Sequence, residues 1–104
     1  MTSHESPAYV SQKCFRSLWQ EYRVFSDRIE LDTLFNTIVI KKDQILSIQV
    51  CPAFRNSIIA LKLDMADLFI HISITRKNGI FKNLSFTPND PNAFLEAVRS
   101  VMNL

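Results

Sequence analysis

Between Leu18 and Thr87 apolar and polar residues alternate with a period of two, which puts successive side chains on opposite faces of a strand. Seven short runs carry the pattern. They are Leu18, Tyr22 and Val24; Ile29 and Leu31; Ile38 and Ile40; Leu46, Ile48 and Val50; Ile59, Leu61 and Leu63; Leu68, Ile70, Ile72 and Ile74; and Leu84 and Phe86. So many alternating runs predict a mainly β, antiparallel domain with one face of each strand in a core and the other facing out. The period then changes. Phe94, Ala97, Val98, Val101 and Met102 recur at helical spacing, with Asp90 as the cap and Pro91 in the first turn, where its missing N–H costs nothing. A C-terminal helix over 90–102, packed on its own sheet, is predicted.

Register is legible because a one-residue slip turns a strand's apolar set to the wrong face. A tight turn at Ser26-Asp27 pairs Val24 with Ile29 and Tyr22 with Leu31, and sets Arg23 opposite Glu30 and Glu21 opposite Asp32. A turn around Phe35-Asn36 pairs Leu31 with Ile40, Glu30 with Lys41 and Arg28 with Asp43. Near Asn78-Gly79 a two-residue loop sets Ile72 against Ser85, a mismatch. A three-residue loop, Lys77-Asn78-Gly79 with a left-handed glycine, instead pairs Ile72 with Leu84, Ile70 with Phe86, His71 with Ser85 and Ser73 with Asn83.

At 104 residues and 47% hydrophobic, the chain has material for one domain and one core, read as 18–104 behind a tail or short helix over 1–17. The short helix puts Val10, Cys14 and Phe15 on one face. Segments 51–56 and 64–67 read as loops. Twelve Lys and Arg against ten Asp and Glu leave a formal +2, too little for a nucleic-acid footprint. Cys14 and Cys51 lack the spacing of a disulfide framework and are expected as free thiols. Residues 1–7 show neither a basic nor an apolar leader region, and no apolar run approaches the ~18 residues of a membrane span. A cytoplasmic protein is the expectation.

The segments Tyr22–Leu31, Ile38–Val50 and Phe86–Phe94 are similar to the opening hairpin, the third and fourth strands, and the passage into the capping helix of small bacterial pleckstrin-homology-like (PH-like) domains. The resemblance covers about residues 18–103. It implies a seven-stranded antiparallel barrel or sandwich of two near-orthogonal sheets with one end plugged by the helix. Lipid-binding members carry several basic residues around the first hairpin loop, whereas Phe25-Ser26-Asp27-Arg28 offers one acid and one base. Inositol-lipid recognition at that loop is therefore not expected, and an interaction or self-assembly module is.

No catalytic constellation is visible. His4 lies in the tail, and parity puts His71 on the outward face beside Ser73 and Ser85 with no third group to orient it. Asp64 and Asp67 read as turn formers, and neither Cys-x-x-Cys nor His-x-x-x-His occurs. An enzyme, a cofactor, a metal and a small-molecule substrate are not expected. Phe69 and Phe81, with Trp19, Leu34, Val39 and Ile58, fall on the outer face by parity. Neighbouring apolar residues on a surface make a patch, so Phe69, Phe81, Val39 and Trp19 are the candidate interface for a protein partner or for a second copy of the chain. Arg76, Lys77 and Lys82 at the last hairpin tip are the candidate contacts in the alternative, weak binding to an anionic membrane surface.

Overall fold

The structure, a computed structural model, describes residues 6–54, 61–66, 68–77, 79 and 82–103. Its strands are β1 (Tyr9–Ser11), β2 (Glu21–Val24), β3 (Arg28–Asp32), β4 (Thr37–Lys41), β5 (Ile45–Cys51), β6 (Leu61–Lys62), β7 (His71–Arg76) and β8 (Asn83–Phe86), followed by helix α1 (Pro91–Met102). Short 3-10 turns occupy Phe15–Ser17 and Lys42–Gln44. The strands form two four-stranded sheets, ordered β1-β2-β3-β4 and β5-β7-β8-β6. The mainly β architecture with a capping helix stands as read from the sequence. The strand count does not: eight strands are present among the described residues rather than seven, because Tyr9–Ser11 pairs with Val24–Tyr22, and the two sheets do not close into a barrel. No helix among the described residues is long and apolar enough to cross a membrane.

The first hairpin keeps its expected register in every pair, from Val24 with Ile29 to Glu21 with Asp32. The Glu21–Asp32 juxtaposition is eased by Arg23, which reaches Glu21 at 2.7 Å, Glu30 at 3.3 Å and Asp32 at 3.5 Å. The next pairing is shifted by two residues from expectation: Leu31 faces Ile38 and Ile29 faces Ile40, while Arg28 faces Lys41 and Glu30 faces Val39. The loop is centred on Leu34-Phe35, because the Thr33 hydroxyl donates to the Asn36 carbonyl at 2.7 Å and closes a four-residue turn. Arg28 instead finds its acids on its own side of the sheet, Glu30 at 2.8 Å and Asp27 at 2.7 Å.

The last hairpin slips by two in the same way. Ile72 pairs with Phe86, Ser73 with Ser85 and Ile74 with Leu84, and the Arg76 amide donates to the Lys82 carbonyl, leaving residues 77–81 as the connection. The expected three-residue loop is therefore a longer one. Gly79 has the expected positive φ, +112°, and a β-carbon there would stand 2.7 Å from the Arg76 guanidinium, so glycine lets that side chain fold back over the loop. Asn78 and Phe81 lie outside the described residues, as do His4, Ile58, Ile59 and Asp67.

Three further expectations are corrected. Leu46 is 60% exposed, because a bulge between Ile45 and Ser47 resets parity so that Ile45 and Ile48 both point inward. Leu68 and Ile70 are half-exposed, since β7 starts at His71 and the preceding residues turn away. Finally β6 runs parallel to β8, Leu61 beside Leu84; two strand residues read alike in either direction, so alternation could not have told this.

The core fills from both sheets and the helix. Tyr22, Phe86 and Phe94 meet edge to face, with centroids 4.9 and 5.3 Å apart, and Tyr9 closes on Phe94 at 6.0 Å. Asp90 caps the helix by accepting from the Ala93 amide at 3.1 Å, and Phe94, Val98 and Met102 form its fully buried stripe. Asn103 ends it in the left-handed conformation.

Candidate functional site

Between the first 3-10 turn and β2 the chain makes a turn that local sterics oppose. Leu18 (φ 55°) and Trp19 (φ 61°) both sit in the left-handed region, which costs a non-glycine residue about 1–2 kcal/mol. The surroundings hold them there. The Ser17 hydroxyl donates to the Gln20 carbonyl at 3.0 Å and the Gln20 amide group donates back to the Ser17 carbonyl at 3.0 Å. Gln20, only 4% exposed, also donates to the Leu63 carbonyl at 2.8 Å and accepts from the Leu34 amide at 2.9 Å. One side chain thus ties the turn to the β3–β4 loop and to the segment after β6.

Next to it, a half-buried Asp64 gathers a polar lattice from the buried Tyr22 and Thr87. The Tyr22 hydroxyl donates to Asp64 at 2.5 Å, the Thr87 amide donates to the same carboxylate oxygen at 2.7 Å, and the Thr87 hydroxyl donates to the other oxygen. Burial, and then the adjacent Asp64 carboxylate, push the Tyr22 hydroxyl far above its ordinary pKa, so it serves as a fixed donor. Burial likewise raises the Asp64 carboxyl, opposed by the hydrogen bonds from Thr87 and Tyr22 and by the nearby His71. Asp64 is therefore more than a turn former: it is the joint between β2, the loop after β6 and the end of β8.

This framework displays an apolar rim. Trp19 is 62% exposed, Leu34 68% and Phe35 95%, with Leu18 at 39%. Leu18, Leu34 and Phe35 line a groove of about 350 Å³ together with Ile38, Leu61 and Leu63. Trp19 and Leu34 share an adjoining recess with Lys13, Glu21 and Asp32. The rim is thus continuous over two loops at one end of the β1–β4 sheet.

The residues singled out from sequence are not all gathered here. Trp19 is on the rim. Val39, 44% exposed, lies on the outer face of β4 opposite Glu30. Phe69 is half-buried with the Arg16 guanidinium 6.0 Å from its ring centre, and Phe81 lies outside the described residues. Phe35, the most exposed large apolar side chain among the described residues, enters the sequence reading only as part of a turn. An apolar pair, Leu34-Phe35, between two turn-forming polar residues was the available signal.

The opposite end of that sheet meets the tip of the β7–β8 hairpin and is basic. Lys77 and Lys82 are exposed, while Arg76 is folded against Gly79. Backbone bonds of 2.8 Å from Lys42 to Asp27 and from Lys77 to Gln44 draw the 26–28 turn, the Lys42–Gln44 turn and the last hairpin tip together. A cleft of about 490 Å³ lined by Asp27, Arg28, Lys41, Lys42 and Asp43 opens there.

His71 corrects the sequence expectation of an outward histidine. It is fully buried, Nδ1 is 3.0 Å from the Phe69 carbonyl oxygen, and Nε2 has no partner among the described residues. Cys14 and Cys51 are half-buried thiols not joined in a disulfide, and no group of three or more metal-ligating side chains occurs among the described residues. Comparison of the chain with protein-family models, with curated proteins and with solved structures returns no match.

Proposed function

We propose that the chain is a non-catalytic, PH-like interaction module that self-associates through the rim formed by Leu18, Trp19, Leu34 and Phe35. The observation that carries this is the strained Leu18-Trp19 turn. Two left-handed residues are held in place by Ser17 and Gln20, and the outcome of that expense is an indole laid open to solvent. A turn serving only to connect the 3-10 turn to β2 has no need of a tryptophan in that conformation. Aromatic side chains on a continuous apolar surface are the usual anchors of protein contacts.

Multi-angle light scattering across micromolar concentrations tests it. Wild-type protein is expected to show a mass above the monomer, and Trp19→Ser or Leu34→Ser to weaken association about 30-fold, the ~2 kcal/mol of an interface anchor. A strict monomer whose variants behave identically overturns it.

The basic end supports a second reading, a weak peripheral contact with an anionic membrane surface, since exposed Lys41, Lys42, Lys77 and Lys82 converge there. Co-sedimentation with vesicles containing phosphatidylserine is then expected to fall several-fold between 50 and 300 mM salt, and to fall further in Lys77→Glu/Lys82→Glu. Binding that ignores both salt and lipid charge removes this reading.

A further inference from the structure

We propose that a second copy of this chain covers the rim, giving a closed two-fold dimer in which the basic ends point away from each other. The proposal rests on the self-association reading above and fixes its surface, stoichiometry and orientation.

Area is the first support. The exposed parts of Leu18, Trp19, Leu34 and Phe35 amount to on the order of 600 Å² of contiguous apolar surface, the upper end of what a monomer normally shows as one patch. Two copies meeting there remove about twice that area, within reach of the smallest stable, specific interfaces.

Charge decides which ends meet. The basic end carries Arg28, Lys41, Lys42, Arg76, Lys77 and Lys82 against Asp27 and Asp43, a formal +4 from six bases and two acids. The other described residues hold five bases and six acids. Beside the rim, the charged side chains lining its two recesses are Lys13, Lys62, Glu21 and Asp32, two of each sign. Basic end against basic end is repulsive, whereas the rim is locally neutral and offers an equal, uncharged face to its own copy.

The fold separates the two ends. β3 runs from Arg28 at the basic end to Asp32 at the rim, four residue steps or about 13 Å, roughly one and a half Debye lengths at physiological salt. A self-complementary patch on both copies closes after two subunits and leaves no surface to propagate.

Charge pairing across the two-fold tests the arrangement. Leu34→Glu and Leu34→Lys each place like charges opposite themselves, so each alone is expected to weaken the dimer at least ~100-fold. Mixed one to one, they are expected to form a heterodimer within ~10-fold of wild type. Lys41→Glu/Lys42→Glu is expected to leave dimerisation within ~3-fold. Circular dichroism confirms folding of each variant, all of which alter exposed side chains. Three results overturn the dimer while leaving self-association intact: no rescue on mixing, assemblies growing beyond two copies, or loss of association in the Lys41/Lys42 variant. A wild-type monomer at every concentration removes both.

Discussion

Phe94→Ala is expected to remove about 3–5 kcal/mol of folding stability, the cost of emptying a fully enclosed aromatic site. The ring is held edge-on by Phe86 and Tyr9, which belong to different sheets, so no single neighbour can move in without breaking its own contacts. It also fastens α1, because Phe94, Val98 and Met102 are the helix's fully enclosed apolar residues. For a domain whose total stability is about 5–15 kcal/mol this is a large fraction, and at roughly 4–8 °C per kcal/mol the melting temperature falls by tens of degrees. Urea denaturation followed by tryptophan fluorescence measures it, with Leu95→Ala, at a half-buried position, as the milder companion. A loss below about 1 kcal/mol for Phe94→Ala means that the helix is not docked as described.

That stripe was legible because a helical face repeats several times and its cap, Asp90, is read from chemistry that does not depend on the rest of the fold. The first hairpin was legible for a related reason: a two-residue turn leaves no freedom of length, and Arg23 facing Glu30 marks the outer face as surely as Tyr22 and Leu31 mark the inner. The other two hairpins show the limit. Sliding a strand by two keeps every apolar residue inside, so alternation cannot choose between Leu31–Ile40 and the observed Leu31–Ile38. The choice belongs to the Thr33 hydroxyl at the loop, which no periodicity reveals.

The site was half legible. Parity sets Trp19 and Leu34 on the outer face, but the turn that presents Trp19 depends on Gln20 reaching Leu63 and Leu34, contacts distant in sequence. His71 failed as an outward residue because parity says which face a side chain takes and nothing of what lies over that face.

Asp64, read as a turn former, is the residue where burial and hydrogen bonding oppose each other most directly, and its removal separates them. Asp64→Ala leaves the Tyr22 hydroxyl and both Thr87 donors without an acceptor, a loss of about 2–4 kcal/mol. The pH dependence tells which force dominates. Because burial raises the folded-state carboxyl above its ordinary value near 3.9, the folded protein takes up the proton more readily than the unfolded chain. The associated stability is fully present below the unfolded value and is lost as pH rises through the higher folded value. The gap between wild type and Asp64→Ala is therefore expected to widen as pH falls from 7 toward 4, measured by urea denaturation at each pH. Repeating the pair with His71→Gln removes the imidazole whose charge acts on Asp64. A gap that narrows on acidification in both backgrounds shows instead that the three donors outweigh burial and hold the carboxylate ionised. The lattice is then an anion site, and Tyr22 and Thr87, rather than the apolar surroundings, set the position of the loop after β6, to which Gln20 ties the rim through Leu63.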